Sequence, residues 1–69
     1  MPRVRLNDTE VEVSSGADLV EAIKRTARER GIDSFLVRLD DRLASPDEIR
    51  NCKVEEVREV RIQRYYRAG

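Results

Sequence analysis

A chain of 69 residues has room for one domain and one small core. It has no histidine and a single cysteine, Cys52, which excludes an internal disulfide and any Ser-His or Cys-His catalytic pair. Fourteen basic residues balance fourteen acidic ones, so no net charge draws the chain toward nucleic acid or a membrane surface.

Glycine occurs only at positions 16, 31 and 69, which leaves no glycine-rich loop to cradle phosphate. No apolar run reaches membrane-spanning length, and the opening MPRVRLND lacks the apolar core of a signal peptide. The expectation is a soluble, cytoplasmic, monomeric protein that is not an enzyme and holds no metal. Cys52 is expected to be a half-buried loop residue rather than a reactive thiol.

The first segment, PRVRLNDTEVEV, reads as two alternating runs around a two-residue turn at Asn7-Asp8. That turn sets Leu6 opposite Thr9, Arg5 opposite Glu10, Val4 opposite Val11 and Arg3 opposite Glu12. Val4, Leu6, Val11 and Val13 then share one face, and the other face carries Arg–Glu cross-strand pairs. A slip of one residue would bury charge and expose valine, so the register is specified by both faces together.

A helix is expected over about residues 19–30. Asp18 stands at the N-cap position, and Glu21 completes a pattern like a capping box. Leu19, Ala22, Ile23, Thr26 and Ala27 fall at helical spacing, and Gly31 sits where a left-handed C-cap belongs. Residues 34–39 form a short β-rich run in which Phe35, Val37 and Leu39 alternate. Asp40-Asp41 is a turn, and residues 42–44 are a short return. Ser45-Pro46-Asp47-Glu48 breaks the chain and starts a helical turn that places Ile49 as a plug.

The last stretch, KVEEVREVRIQRYYRAG, carries two periods. Val54, Val57 and Val60 are three apart, as are Arg58, Arg61, Arg64 and Arg67. The β-branched and aromatic content and the alternation of Val60 with Ile62 favour a strand over about 58–64. Arg61, Arg64 and Arg67 either grip carboxylates on a partner or form a solvated edge that discourages strand pairing. The arginine-rich end also raises an RNA-binding reading, against which stand the zero net charge and the three aromatics.

One helix of this length must bury its apolar stripe on the hairpin, with the final strand beside the first and parallel to it. The order expected is α+β: a four-stranded mixed sheet covered by one helix, residues 1–64, followed by a flexible tail, residues 65–69. In that order, VRLNDTEVEV, SSGADLVEAI, FLVRLDDRLASP and VREVRIQRYYRAG resemble the ubiquitin-like β-grasp superfamily. The nearest resemblance is to the sulfur carriers of thiamin and molybdopterin synthesis and to the archaeal small modifier proteins. That family usually ends in Gly-Gly, whereas this chain ends Ala68-Gly69, and NCKVEE replaces the usual Gly-Asp turn before the last strand.

The resemblance implies that an activating enzyme uses ATP and Mg²⁺ to adenylate the Gly69 carboxylate. A sulfur-transfer enzyme or an enzyme cysteine then attacks, giving a thiocarboxylate or a conjugate to lysines of target proteins. Tyr65, Tyr66, Arg67 and Ala68 would be the tail the enzyme recognises, and Lys24 and Lys53 are the two side-chain amines that could accept. From the residues alone, an extended tail of this length reaches roughly 15 Å beyond a sheet, and a terminal glycine leaves its carbonyl unobstructed. The alternative is a β-grasp interaction module without C-terminal chemistry.

Overall fold

The computed structural model describes residues 2–65 and shows a small α+β arrangement. Strands β1 (Arg3–Leu6) and β2 (Thr9–Glu12) precede the main helix α1 (Gly16–Glu29). Strands β3 (Phe35–Leu39) and β4 (Arg42–Ala44), the short helix α2 (Pro46–Arg50), a 3₁₀ turn (Val54–Glu56) and strand β5 (Glu59–Arg64) follow. The sheet order is β2-β1-β5-β3-β4, so the expected four-stranded sheet is in fact five-stranded. The difference is the return at 42–44, which pairs antiparallel with β3 as a full edge strand, Val37 against Ala44 and Leu39 against Arg42.

The hairpin has the register its two faces demand: Arg3 opposite Glu12, Val4 opposite Val11, Arg5 opposite Glu10 and Leu6 opposite Thr9. Val4, Leu6 and Val13 are buried and Val11 is half-buried. The last strand lies beside the first and parallel to it, Arg5 against Glu59 and Leu6 against Val60. Its other neighbour is β3, antiparallel, with Val37 opposite Ile62 and Leu39 opposite Val60. Apolar residues of α1 (Leu19, Val20 and Ile23) close over this face in one core with Ile49, Val54 and Val57. The three valines spaced by three are thus all interior, first through a 3₁₀ turn of period three and then through a strand.

The helix begins earlier than its apolar spacing suggests. Ser15, not Asp18, is the N-cap: its hydroxyl oxygen accepts from the Asp18 N–H at 3.3 Å. Asp18 reaches back instead, its carboxylate accepting from the N–H of Ser14 at 3.1 Å and from the Ser14 hydroxyl. The extra turn is possible because Gly16 has no side chain; a Cβ there would lie 2.2 Å from the Arg50 carbonyl oxygen and 2.3 Å from that of Ile49. Thus α1 and α2 meet backbone to backbone at Gly16. Helix α2 carries a complete capping box, Ser45 Oγ accepting from Glu48 N–H and Glu48 Oε1 from Ser45 N–H. Gly31, at φ 67°, ends α1 as expected: its N–H donates to Arg28 and that of Ile32 to Ala27.

Two tight turns hold β5. Asn7 and Asp40, the first residues of the β1–β2 and β3–β4 turns, are the two non-glycine residues of positive φ among those described, at 54° and 56°. Asn7 donates its N–H to the Val60 carbonyl at 3.0 Å, and its Oδ1 accepts from the Ile62 N–H at 2.9 Å. From the other side, Asp40 donates its N–H to the Glu59 carbonyl at 2.8 Å. Its Oδ1 accepts from Arg58 N–H at 3.2 Å and Glu59 N–H at 3.1 Å.

Two predictions follow from these contacts. Replacing Asn7 by Gly keeps the left-handed backbone but orphans the part-buried Ile62 N–H, so chemical denaturation should show a loss of about 1–3 kcal/mol. Asn7→Ala should lose about 1 kcal/mol more, because alanine disfavours the left-handed region; an Asn7→Gly protein as stable as the parent would contradict this role. Second, the Ser14 hydroxyl and then the Ser14 N–H hold the Asp18 carboxyl below its ordinary value. A depressed folded-state pKa stabilises above the unfolded value and loses that contribution as pH falls through the folded one. Melting of Asp18→Ala against the parent should therefore show a gap at neutral pH that narrows below the ordinary aspartate range; a gap independent of pH would contradict it.

Candidate functional site

The chain leaves the described structure from the middle of the sheet. Tyr65 continues the β3–β5 ladder, donating its N–H to the Ser34 carbonyl at 3.0 Å, and its side chain is half exposed. It lines a shallow polar hollow with Gly31, Asp33, Ser34 and Arg64. Tyr66, Arg67, Ala68 and Gly69, the remaining predicted tail residues, lie outside the described residues. Of the two candidate acceptor amines, Lys24 is exposed on α1 and Lys53 is exposed at the start of the 3₁₀ turn.

Cys52 is half-buried between α2 and the 3₁₀ turn. Burial pushes its thiol pKa up, and the Glu55 carboxylate adds to the rise against a lowering backbone hydrogen bond. Such a thiol is less ionised at neutral pH than an ordinary one, the reverse of what a nucleophile needs. No group of three or more His, Cys, Asp or Glu residues able to hold a metal exists among the described residues. No helix there is long and apolar enough to cross a membrane.

The sheet's outer face, turned away from α1, was not singled out by sequence reasoning. Alternation puts Arg3 and Arg5, Glu10 and Glu12, Leu36 and Arg38, Leu43, and Glu59, Arg61 and Gln63 on this face. Tyr65 follows in the same phase. The three large apolar residues exposed among those described are Leu36 (37 %), Leu43 (51 %) and Tyr65 (48 %), and all belong to this face. Their sharing a face needs the pairing pattern: Leu43 is 22 residues before Tyr65 in sequence, and only the β5-β3-β4 order brings them to one side, with Leu36 and Leu43 flanking Arg38 and Tyr65 farther along, beside Ser34.

Charge divides the same face in two. On β1 and β2, Arg3 reaches both Glu12 at 3.6 Å and Glu10 at 3.9 Å, so this half is internally balanced. On β3 and β5, Arg38 stands directly opposite Arg61, and Arg61 is bridged to Glu59 at 3.6 Å. Among the described residues no carboxylate pairs with Arg38. The result is a basic position beside Leu36 and Leu43.

Like charges directly opposite on neighbouring strands are destabilising. Arg38→Glu, which turns the Arg38–Arg61 pair into an attractive one, should therefore raise stability by about 0.5–1 kcal/mol in low salt and less in high salt. Urea titrations at two ionic strengths would check this, and a less stable variant would show that the arginine pair carries no strain. Compared with known proteins, the chain matches no family model, no curated protein and no solved structure.

Proposed function

We propose that this chain is a ubiquitin-like β-grasp protein that works as a small modifier or sulfur carrier through Gly69. The observation that carries the reading is the placement of β5. The last strand is central in the sheet, parallel to β1 and antiparallel to β3, with one long helix between the two hairpins. A chain arranged this way has its final residues start from a firmly held point, Tyr65, rather than from a frayed edge. That suits a terminus that must be presented to another protein's active site.

The chemistry belongs to the partner enzyme. The Gly69 carboxylate attacks the α-phosphate of ATP held with Mg²⁺, pyrophosphate leaves, and an acyl adenylate forms. A persulfide or cysteine sulfur then displaces AMP. With the persulfide the product is an acyl disulfide, which a second cysteine of the sulfur-transfer enzyme cleaves, freeing the thiocarboxylate and leaving a disulfide on that enzyme. With the cysteine it is a thioester, which a lysine amine opens to an isopeptide bond as the enzyme thiol leaves. What this chain contributes is presentation: a glycine carbonyl without a side chain, preceded by Ala68, whose methyl group narrows the approach compared with a second glycine.

The outer face favours a second reading, a non-covalent interaction module. Leu36 and Leu43 beside Arg38 suit a partner surface that is apolar and acidic. In that reading Gly69 is only the residue that happens to come last in the sequence.

Incubation with an ATP-dependent activating enzyme from the same cell separates the two. The carrier reading expects pyrophosphate release that requires this protein and disappears when Gly69 is deleted. Release that survives the deletion, or none with any adenylating enzyme of that cell, would overturn it. A C-terminal extension that leaves the protein's cellular role intact would favour the interaction module.

A further inference from the structure

We propose that the seam between α1, β3 and α2 binds the C-terminal end of a partner protein, a chain that finishes in an aliphatic residue with a free carboxylate. The site centres on Lys24 and Phe35, on the α1 side of the sheet, and stands independently of the function proposed above.

The sheet is left unfinished at the start of β3. Strand β4 pairs with β3 from Leu39 back to Val37, and the last rung is Val37 against Ala44. The next rung of that register would set Phe35 against Pro46, which has no N–H and already belongs to α2. On the other side of β3, the Tyr65 N–H bonds to the Ser34 carbonyl and the Asp40 N–H to that of Glu59, so Leu36 and Arg38 turn their backbone groups toward β5. In an antiparallel ladder the residues between them face the opposite way. Val37 and Leu39 meet β4 there, and the N–H and C=O of Phe35 meet no backbone group among the described residues.

The side chains around this gap form a small apolar receptacle. Phe35 is only half-buried, whereas Val37 and Leu39 in the same phase are 7 % and 6 % exposed. Beside Phe35 a crevice of about 60 Å³ opens, walled by Val20 and Ile23 of α1, Val37 of β3, and Pro46 and Ile49 of α2. That space takes a branched aliphatic side chain and is too small for an indole. Lys24 is the one charged residue on its rim, is exposed, and makes no ion pair among the described residues. A wider groove of about 420 Å³ shares Phe35, Val37 and Pro46 with the crevice and gives the rest of a bound chain its path outward.

The occupant is a chain end because the line of the strand is blocked. Ala44 fills the position beside Val37, so a segment that enters alongside Phe35 has nowhere to continue. Charge then selects the carboxyl end. Lys24 lacks a counter-ion, whereas Glu48, the one carboxylate on the wider groove, already accepts from the Ser45 N–H in the capping box. The Phe35 N–H and C=O give the arriving backbone two partners, and the Lys24 ammonium gives its terminal carboxylate a charged one. An amino terminus in the same place would meet the like charge of Lys24.

The test is a titration of the isotope-labelled protein, followed by amide NMR, with two short acetylated peptides that end in leucine. One carries a free carboxylate and the other a C-terminal amide. The carboxylate peptide is expected to shift the Lys24, Phe35 and Ile49 amides and to slow hydrogen exchange at Phe35. It should bind about threefold to fivefold tighter than the amide, as one exposed ion pair supplies. Lys24→Gln should erase that preference and leave the melting temperature unchanged, since Lys24 is exposed and unpaired. A carboxylate peptide ending in glycine should bind about tenfold more weakly than the leucine one, because it leaves the crevice unfilled. The proposal is overturned by equal binding of the carboxylate and amide peptides, or by no binding of the leucine carboxylate at millimolar concentration. Shifts that leave Lys24 and Phe35 unmoved, or a preference that survives Lys24→Gln, would overturn it as well.

Discussion

The structure depends on how β5 is captured between two hairpin turns. A strand that arrives last must find partners on both sides, and one of its pairings here, with β1, is parallel and separated by more than fifty residues. Closing so long a loop has an entropic cost that only several simultaneous bonds offset. Asn7 and Asp40 supply them. Each begins a turn in the left-handed region, where asparagine and aspartate are tolerated best, and each uses both its backbone N–H and its side-chain oxygen on β5. Because β1 ends at Leu6, the Asn7 side chain takes the place of the next rung of the ladder. Asp40 does the same for the first residues of β5 from the opposite side.

With β5 in place the rest follows from burial. Val60 and Ile62 bring the two hairpins into one apolar surface, and α1 lies over it with Leu19, Val20 and Ile23 inward. Gly16 lets the helix start deep against the carbonyls of Ile49 and Arg50, which seats α2 and brings Ile49 into the same core. No charged or polar residue is buried among those described, so this core needs no internal polar network.

Local features of the fold were legible in the sequence where two signals coincided. The hairpin register was readable because valine alternation, the Asn-Asp turn and the Arg–Glu pairs all gave the same answer. Gly31 was readable because a left-handed C-cap has few other occupants. The helix start was misplaced because Ser14-Ser15-Gly16 carries no apolar residue to announce a helix; its justification is tertiary, the close contact with α2. The short return at 42–44 was readable, but it was not counted into the sheet because three residues, two of them exposed at the sheet edge, hold little periodicity. The outer-face cluster was less legible still. Leu36 and Leu43 read as ordinary strand residues until the pairing of β3 with β4 and β5 shows which way they face. The tail was named from the sequence, and of it the described structure contains only Tyr65.

The described surface therefore differs from one part of the sheet to another: the chain leaves it from the central strand at Tyr65, the outer face is charge-balanced over β1 and β2, and it is basic and apolar at Arg38, Leu36 and Leu43. The account's central claim is that Gly69 is the reacting end, and intact mass of the protein recovered from its native cell tests it most directly. A carrier or modifier predicts a population ending at Gly69 in which one carboxylate oxygen is replaced by sulfur, or one joined through Gly69 to lysines of other proteins. A population that carries only an unaltered carboxylate, under conditions where the activating enzyme is present, would contradict it.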